Sequence, residues 1–408
     1  MGNKDCLVAE AKFLKAWIYF QLITRYGGVP IINECYSLED ASSVTFTRNT
    51  LDECVTEIER LINEAIPALP QTYYTDNANF GRATQDVCRA LLSRTYLYMA
   101  SPLFNPSNDK AKWQKAADAA KEFMDKAGNT YELYPDYGES FRLTSGILNK
   151  EWIWGRNFTS TNGHDAPMDN LGRRWGGYGG WFASNGPSQN LVDDYDMQST
   201  GLPAFKWVNG EKVLNEESGY DPQNPYADRD PRMDATVIHD GAVYRDVTHE
   251  MWIAEDQQTW GYDSYKQSGD NPRTNYVLRK FMPEADQAIG WEIKCVIPWP
   301  YFRLAEIYLN YAEAMFELGN EDACREYMNK VRSRVNMPGI SSTVTGEDLR
   351  QRLYNERRVE FAFESHRIFD VRRWKIAMET ENRDIYGMDI YLDTNTGRKR
   401  YEPVKLYD

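Results

Sequence analysis

Apolar positions recur every three or four residues near both ends of the chain, a spacing typical of helices buried along one face. The first such segment is CLVAEAKFLKAWIYFQLITRY. Its apolar stripe, which we expect to be buried, consists of Leu7, Ala11, Leu14, Ile18 and Leu22. The sequence then changes at RYGGVPII, because glycine can cap a helix in the left-handed conformation and proline cannot continue one. We expect the helix to end at Gly27 or Gly28 and the next segment to turn back onto it.

Helical periodicity predicts a scaffold in two parts, residues 5–127 and 300–378. The later helices are expected in LDECVTEIERLINEAIPAL, TQDVCRALLSRTYLYMAS, KWQKAADAAKEFMDKA, YFRLAEIYLNYAEAMFELG, EDACREYMNKVRSR and TGEDLRQRLYNERRVEFAFESHRIFDVRRWKIA. Between the two parts, residues 128–299 lose this periodicity and are rich in Gly, Asn, Asp, Trp and Tyr. We expect a single domain over 1–408, with the irregular region packed on one side of the helices.

The helices have features of stacked pairs. Ala116, Ala120 and Met124 are four residues apart, and small side chains of this kind let a neighbouring helix approach closely. The segment AEAMFELGNEDACREYMNKV reads as helix, turn at Gly319 and helix, similar to a tetratricopeptide unit whose turn is one residue short. An ordinary bundle of antiparallel helix pairs remains an alternative interpretation.

Charge and hydropathy exclude several classes of function. The chain has 47 Lys and Arg against 61 Asp and Glu, a net charge of −14 that disfavours binding to nucleic acid. No run of eighteen apolar residues is present, so no membrane-spanning helix is predicted. The chain begins MGNKDC, almost inside the first helix, so either the protein is intracellular or its leader is not in this sequence. Cys6, Cys54, Cys88 and Cys324 fall in helical patterns and are expected to be free thiols.

Six blocks of the sequence, in order, resemble the RagB/SusD family, the surface glycan-binding lipoproteins of Bacteroidetes. These blocks are AEAKFLKAWIYFQLITRYGGVPII, FGRATQDVCRALLSRTYLYMAS, GPSQNLVDDYDM, YADRDPRMDATVI, PYFRLAEIYLNYAEAMFELG and NERRVEFAFESHRIFDVRRWKIA. The resemblance covers essentially the whole chain and implies a mainly helical, tetratricopeptide-like superhelix. Members usually have a secretion signal, a lipid-bearing cysteine and a further helical segment before the first block, so we expect the present chain to be truncated at its N-terminus.

The resemblance implies a protein that binds oligosaccharide or polysaccharide without catalysis, as in starch-utilisation systems. It also implies attachment to the outer-membrane surface through a lipid anchor, and delivery of the glycan to a SusC-like TonB-dependent transporter. Residues 128–299 are then the expected ligand-binding region. The composition agrees, because sugars stack their C–H faces on aromatic rings, and the chain has 12 Trp, 27 Tyr and 16 Phe.

Aromatic rings are densest in DNLGRRWGGYGGWFASNGPSQN, where glycines separate Trp175, Tyr178 and Trp181. We expect these rings to form a sugar-stacking platform, although each could instead fill the core. The predicted ligand contacts are Trp175, Tyr178, Trp181, Asn185 and Arg174, with Trp260, Tyr262 and Asn79 from two further aromatic segments.

The carboxylates allow two other interpretations, a glycoside hydrolase with paired acids and a calcium site. Those in the recognisable blocks lie on helices near arginines, so we expect ion pairs between helices: Glu306, Glu313, Glu356, Glu360 and Glu364, near Arg303, Arg357, Arg358 and Arg367. The acidic residues that could bind calcium are Asp221, Asp228, Asp230 and Asp234. Their spacing fits no EF-hand loop, and RDPR equally predicts a turn closed by Arg–Asp pairs.

We therefore predict no enzyme activity and no cofactor, with an intracellular tetratricopeptide-type adaptor as a third alternative.

Overall fold

The computed structural model of the chain describes residues 4–37, 39, 44–175, 183–208 and 210–407. The helices are α1 (Lys4–Tyr26), α2 (Leu51–Ala65), α3 (Gln85–Ala100), α4 (Lys110–Ala127), α5 (Tyr137–Ser140), α6 (Ala166–Asn170), α7 (Gln189–Asp193), α8 (Pro231–Thr236), α9 (Leu304–Glu317), α10 (Glu321–Arg334), α11 (Gly346–Glu360), α12 (Arg367–Arg373) and α13 (Ala377–Thr380). The helices longer than ten residues all lie before residue 128 or after residue 303. Between these two groups of long helices, the described residues form short helices and strands.

The strands are short until the C-terminus. They are β1 (Trp152–Arg156), β2 (Phe205–Val208), β3 (Glu211–Leu214), β4 (Val237–Ile238), β5 (Val243–Tyr244), β6 (Val247–Thr248), β7 (Ile253–Ala254), β8 (Val277–Leu278), β9 (Trp299–Arg303), β10 (Ile385–Leu392) and β11 (Lys399–Tyr407). β10 and β11 form an antiparallel hairpin, and β7 pairs in parallel with the other edge of β10. The sequence analysis did not predict this three-stranded sheet.

The described residues fall into two compact units. Unit 1 contains those within Met1–Glu132, Lys150–Gly155 and Tyr301–Asn320, and therefore α1–α4 and α9. Unit 2 contains those within Leu133–Asn149, Arg156–Pro300 and Glu321–Asp408. The irregular middle thus shares a unit with α10–α13 and does not form a body of its own. The single domain over 1–408 stays a prediction.

In unit 1, consecutive helices pack as pairs, α1 with α2 and α3 with α4, and α9 packs on α4. The small face of α4 is buried as predicted, with Ala116 and Ala120 almost fully inaccessible. Gly319, which follows α9, has the positive φ of a helix-ending glycine. These pairs agree with the stacked-pair interpretation of the helices.

The predicted buried stripe of α1 is wrong. Its exposed members are Leu7, Ala11, Leu14 and Ile18, whereas Leu22 is half-buried. The face that is buried instead consists of Ala9, Phe13, Ala16, Phe20 and Ile23. Phe13 and Trp17 meet Trp154 edge-on, with ring centroids 5.1 and 5.2 Å apart. The helix has two apolar faces, and the face with the large rings gains more from burial, which periodicity alone does not reveal.

The turn after α1 agrees with the prediction. Gly27 has φ +73° and its N–H donates to the carbonyl of Ile23 at 3.0 Å. A Cβ on Gly28 would lie 2.0 Å from the carbonyl oxygen of Asn49, so no larger residue fits there. The N–H of Ile32 donates to the hydroxyl of Tyr19 on α1 at 2.7 Å. The segment therefore turns back onto its own helix.

Buried charges connect the irregular middle of unit 2 to its helices. The guanidinium of Arg232, which is completely buried, contacts Asp230 at 2.6 Å and, on α11, Glu356 at 2.6 Å and Glu360 at 2.9 Å. Lys280, also buried, pairs with Glu364 at 2.7 Å. Such groups are costly to bury singly, so these partners determine where the middle segments attach.

Ion pairing is confirmed for Glu306, Glu356, Glu360 and Glu364, with partners that sequence spacing did not indicate. Glu306 on α9 accepts from Arg94 on α3 at 2.5 Å, which is a contact between helices. In unit 2, Glu356 and Glu360 on α11 likewise pair with Arg332 and Arg334 on α10, at 2.9 and 2.6 Å, whereas the predicted arginines pair with carboxylates outside the long helices. The pairs include Arg357 with Asp370, Arg367 with Glu381 and Arg358 with Asp194.

Candidate functional site

Trp175 is anchored at its polar edge by a buried histidine. Its indole Nε1 donates to Nε2 of His249 at 3.0 Å. Tyr244 meets the indole edge-on with ring centroids 5.7 Å apart, and the guanidinium of Arg245 lies 5.5 Å from the indole centroid. The ring is half-buried, and these neighbours come from another segment of the chain, which local glycine spacing could not reveal.

Asp263 connects this anchor to a second ring. Nε and Nη2 of Arg174 each donate to one oxygen of Asp263 at 2.8 Å, a bidentate pair. Nδ1 of His249 lies 3.5 Å from Oδ1 of Asp263, whose side chain is only 4% exposed. The guanidinium of Arg174 in turn lies 4.4 Å from the ring centroid of Tyr262. Trp175, His249, Asp263, Arg174 and Tyr262 thus form one continuous set of contacts.

Among the described residues of this region, Trp260 and Tyr262 are the large rings that are exposed, at 38% and 42% of their surface. Nε1 of Trp260 donates to Oε1 of Gln267 at 2.6 Å, which fixes the indole at its edge. Between the two rings, a Cβ on Gly261 would lie 2.3 Å from the carbonyl oxygen of Glu250, so glycine is required for the close approach of the two backbones. We call Trp175, Arg174, Trp260 and Tyr262, with His249 and Asp263, the aromatic site.

Asn185 is hydrogen-bonded to the last residue of α6. Its Nδ2 donates to Oδ1 of Asn170 at 2.6 Å, and Asn170 shortly precedes the Gly172–Trp175 turn. Tyr178 and Trp181, the other two rings of the predicted platform, lie outside the described residues. The structure therefore shows Trp175 of the predicted platform and brings it together with Arg174 and with Tyr262, which comes from a further aromatic segment.

Asn79 belongs to unit 1 and is occupied by local contacts. Its Nδ2 donates to Asp76 at 2.6 Å, and its Oδ1 accepts from Arg82 at 2.8 Å. Arg82 also forms a pair with Glu10 on α1 at 2.8 Å. These contacts give Asn79 a role in closing its own turn, and its role in ligand binding stays a prediction.

His249 and Asp263 were not predicted from the sequence. His249 is one of four histidines scattered along the chain, and Asp263 is one acidic residue among many. No local pattern marks either residue, because their partners Trp175 and Arg174 lie far away in the sequence. An aspartate beside exposed aromatic residues, as in GYDSY, is the one signal that could have drawn attention to Asp263.

Burial lowers the pKa of His249 to about 4. The folded state therefore binds this proton less well than the unfolded state, in which the pKa is 6.5, and stability is lost as the pH falls from about 6.5 towards 4. We expect His249 to cost the fold about 2 kcal/mol between pH 7 and pH 5. Glutamine at this position would still accept from Trp175 but would not titrate.

Urea unfolding of the wild type and the His249→Gln variant at pH 7 and pH 5 measures this contribution. The loss of stability between the two pH values should be smaller in the variant by that amount. An equal loss in both proteins would show that the neutral histidine in this position contributes nothing to the pH dependence.

The four aspartates considered for calcium have separate partners. Asp230 pairs with Arg232, as the RDPR turn predicted, and Asp228 accepts from Ser199. Asp234 contacts His239 at 3.0 Å, and the remaining one, Asp221, accepts from the backbone of Gln223. Within the described ranges, no group of three or more His, Cys, Asp or Glu is arranged to hold a metal ion.

The six cysteines are free, as expected for the four in helical patterns, and Cys54, Cys88 and Cys324 are also buried. Among the helices that the structure describes, none is long and apolar enough to cross a bilayer.

The sequence matches two profiles of known families. The SusD family profile matches residues 150–406, and a profile described as starch-binding, associating with the outer membrane, matches residues 2–97. The SusD-like protein P25 of Formosa agariphila is 23% identical over 389 residues, 91% of this chain and 64% of that protein. A SusD-like protein of Bacteroides ovatus is 23% identical over 381 residues, again 91% of this chain but 59% of that protein. The chain therefore spans less than two thirds of the length of these relatives.

Solved structures of similar fold include a SusD-like carbohydrate-binding protein from Bacteroides fragilis. It has a TM-score of 0.78 and 25% identity, and the match covers 99% of this chain and 76% of that chain. A laminarin-binding SusD-like protein has a TM-score of 0.58 and 24% identity, over 93% of this chain and 74% of that chain. The prediction of a mainly helical fold of this kind is confirmed.

Proposed function

Because this chain belongs to the SusD family, we propose that it binds oligosaccharide or polysaccharide without catalysis and that the aromatic site is where the sugar docks. The family is one of carbohydrate-binding proteins, and a protein of similar fold binds laminarin.

The proposal rests mainly on how Trp260 and Tyr262 are held in place while remaining exposed. Both rings are about 40% exposed, yet each is held, Trp260 by Gln267 at its polar edge and Tyr262 by the guanidinium of Arg174 against its face. Rings that are fixed before binding lose little entropy on contact with a ligand. Sugars present C–H faces for such rings and hydroxyls for the polar groups beside them.

Catalysis by paired carboxylates has less support from the described residues. The acidic groups of the recognisable blocks are used in buried ion pairs, and Asp263 in the aromatic site accepts from Nε and Nη2 of Arg174. A glycoside hydrolase would need one carboxyl group free to protonate the leaving oxygen and a second to act as base or nucleophile. We therefore favour binding over hydrolysis.

A panel of polysaccharides tests the proposal. Native gels cast with laminarin, starch, xylan, pectin or alginate should retard the protein in at least one case. The polysaccharide that retards the protein should release no reducing ends on long incubation with it. Retardation with steady release of products would assign an enzyme instead. Unchanged mobility in every gel would overturn the proposed function.

We further propose that the natural protein is attached to the outer membrane by a lipid and hands its glycan to a SusC-like TonB-dependent transporter. The support is family membership and the profile for association with the outer membrane. Holding a weak binding site beside a pore raises the local concentration of ligand there. Purification of the full-length protein from native membranes should recover a large barrel protein with it, and repeated purification without one would contradict this partner.

A further inference from the structure

One face of the C-terminal sheet carries a row of side chains that begins in the aromatic site. Tyr391 on β10 pairs with Arg400 on β11 and with Ile253 on β7, and Ile253 forms an antiparallel bridge with Trp260. Directly paired residues place their side chains on the same face of a sheet. Arg400, Tyr391, Ile253 and Trp260 therefore lie side by side. Ile253 is only 2% exposed, and the rings of the row flank it.

Asp389 organises a second part of this face. It lies two residues before Tyr391 on β10 and therefore points to the same side. Its carboxylate accepts from Nη1 of Arg273 at 3.1 Å and from the hydroxyl of Tyr391 at 3.4 Å. The guanidinium of Arg273 in turn lies 3.9 Å from the ring centroid of Tyr265. Asp389 thus holds Tyr391 and Arg273, and Arg273 brings Tyr265 into the same group of side chains.

The charged groups of this face remain accessible although they are paired. The side chains of Arg273 and Arg400 are 41% and 46% exposed, and Arg400 lies 4.5 Å from the ring centroid of Tyr391. Each guanidinium has more N–H donors than its carboxylate partner uses, so donors remain for hydroxyl groups of a ligand. Half-buried rings with spare donors at their edges repeat the chemistry of the aromatic site.

We propose that Tyr265, Arg273, Asp389, Tyr391 and Arg400 form a second sugar subsite, which takes further residues of the same oligosaccharide that docks on Trp260 and Tyr262. The inference rests on the proposed function. Trp260 and Tyr391 are separated by two strand spacings, roughly 10 Å, so a ligand must extend beyond one sugar ring to contact both. The occupant is therefore a chain of sugars, because the row is continuous with the aromatic site.

A subsite of this kind changes the dependence of affinity on chain length. A disaccharide held by Trp260 and Tyr262 does not reach Tyr391, whereas a hexasaccharide does. Tyr391→Ala should therefore raise the Kd for the hexasaccharide about tenfold, as expected for the loss of one ring contact, and change the Kd for the disaccharide less than about twofold.

Calorimetric titration of the wild type and variants tests the subsite. The probes are the disaccharide and the hexasaccharide of the polysaccharide that retards the protein. For laminarin these are laminaribiose and laminarihexaose, and for starch they are maltose and maltohexaose. Tyr407→Ala, an exposed tyrosine on β11 outside the row, is the matched control and should bind both probes as the wild type does. Tyr391→Leu and Arg273→Gln keep the test valid if Tyr391→Ala unfolds, because they retain most of the replaced volume.

Loss of affinity confined to the hexasaccharide supports the second subsite. Unchanged affinity for both probes, or an equal loss for both, overturns it while leaving glycan binding at the aromatic site intact. If the wild type binds neither probe and none of the five polysaccharides, the proposed function itself fails and the subsite fails with it.

Discussion

Replacing Arg232 by methionine is expected to lower the free energy of unfolding by about 3–5 kcal/mol, the range for breaking a buried ion pair. The side chain is fully buried and contacts three carboxylates, Asp230, Glu356 and Glu360, which are themselves buried. Methionine fills a similar volume but leaves these acids without one of their partners. Urea unfolding followed by circular dichroism measures the loss.

An exposed pair on the same helix provides the control. Arg350 lies 3.0 Å from Glu347 on α11, with side chains 30% and 67% exposed. Arg350→Met should change stability by no more than about 1 kcal/mol, because solvent-exposed pairs contribute little. If both variants are equally stable, the buried charges do not hold the irregular middle to α11 and the account of unit 2 is wrong.

Removing both exposed rings of the aromatic site is expected to weaken glycan binding about a hundredfold. Each ring contact contributes on the order of 1.4 kcal/mol, a factor of ten in Kd, if the two act independently. Trp260→Ala and Tyr262→Ala should each show about half of the effect on the free-energy scale. The folded state should lose less than about 1 kcal/mol per substitution, since both side chains are largely at the surface. Calorimetry gives the affinities and urea unfolding gives the stabilities.

Trp207→Ala is the matched control for these variants. Trp207 is also an exposed tryptophan of unit 2, at 51%, with the guanidinium of Arg383 lying 3.6 Å from its ring centroid. It lies on strand β2, which pairs with β3, and its stacking partner Arg383 is not a member of the aromatic site. Its replacement should leave the Kd unchanged. A comparable loss of affinity in this variant would mean that the polysaccharide adheres to exposed tryptophans in general.

Much of the fold could be predicted from the sequence because helix spacing and turn chemistry are local. The turn at Gly27 and Gly28, the small face at Ala116 and Ala120, and the irregular middle all follow from residues near one another in the chain. The buried face of α1 did not, because Leu14 and Phe13 lie on two faces that are both apolar. The choice between them depends on Trp154, which lies far away in the sequence.

The site shows the same limit. Aromatic composition and glycine spacing pointed to Trp175, and a second aromatic segment pointed to Trp260 and Tyr262. The groups that hold them, His249 and Asp263, act through contacts between segments that no local pattern indicates. The row of Tyr391 and Asp389 is still harder to foresee, since its position beside Trp260 depends on the pairing of β10 with β7.

Affinity electrophoresis of the wild type beside the Trp260→Ala/Tyr262→Ala double variant tests the central claim most directly. The account predicts that the wild type is retarded in at least one polysaccharide gel and that the double variant migrates there as it does in a gel without polysaccharide. Equal retardation of the two proteins, or no retardation of the wild type in any gel, would contradict the assignment of glycan binding to the aromatic site.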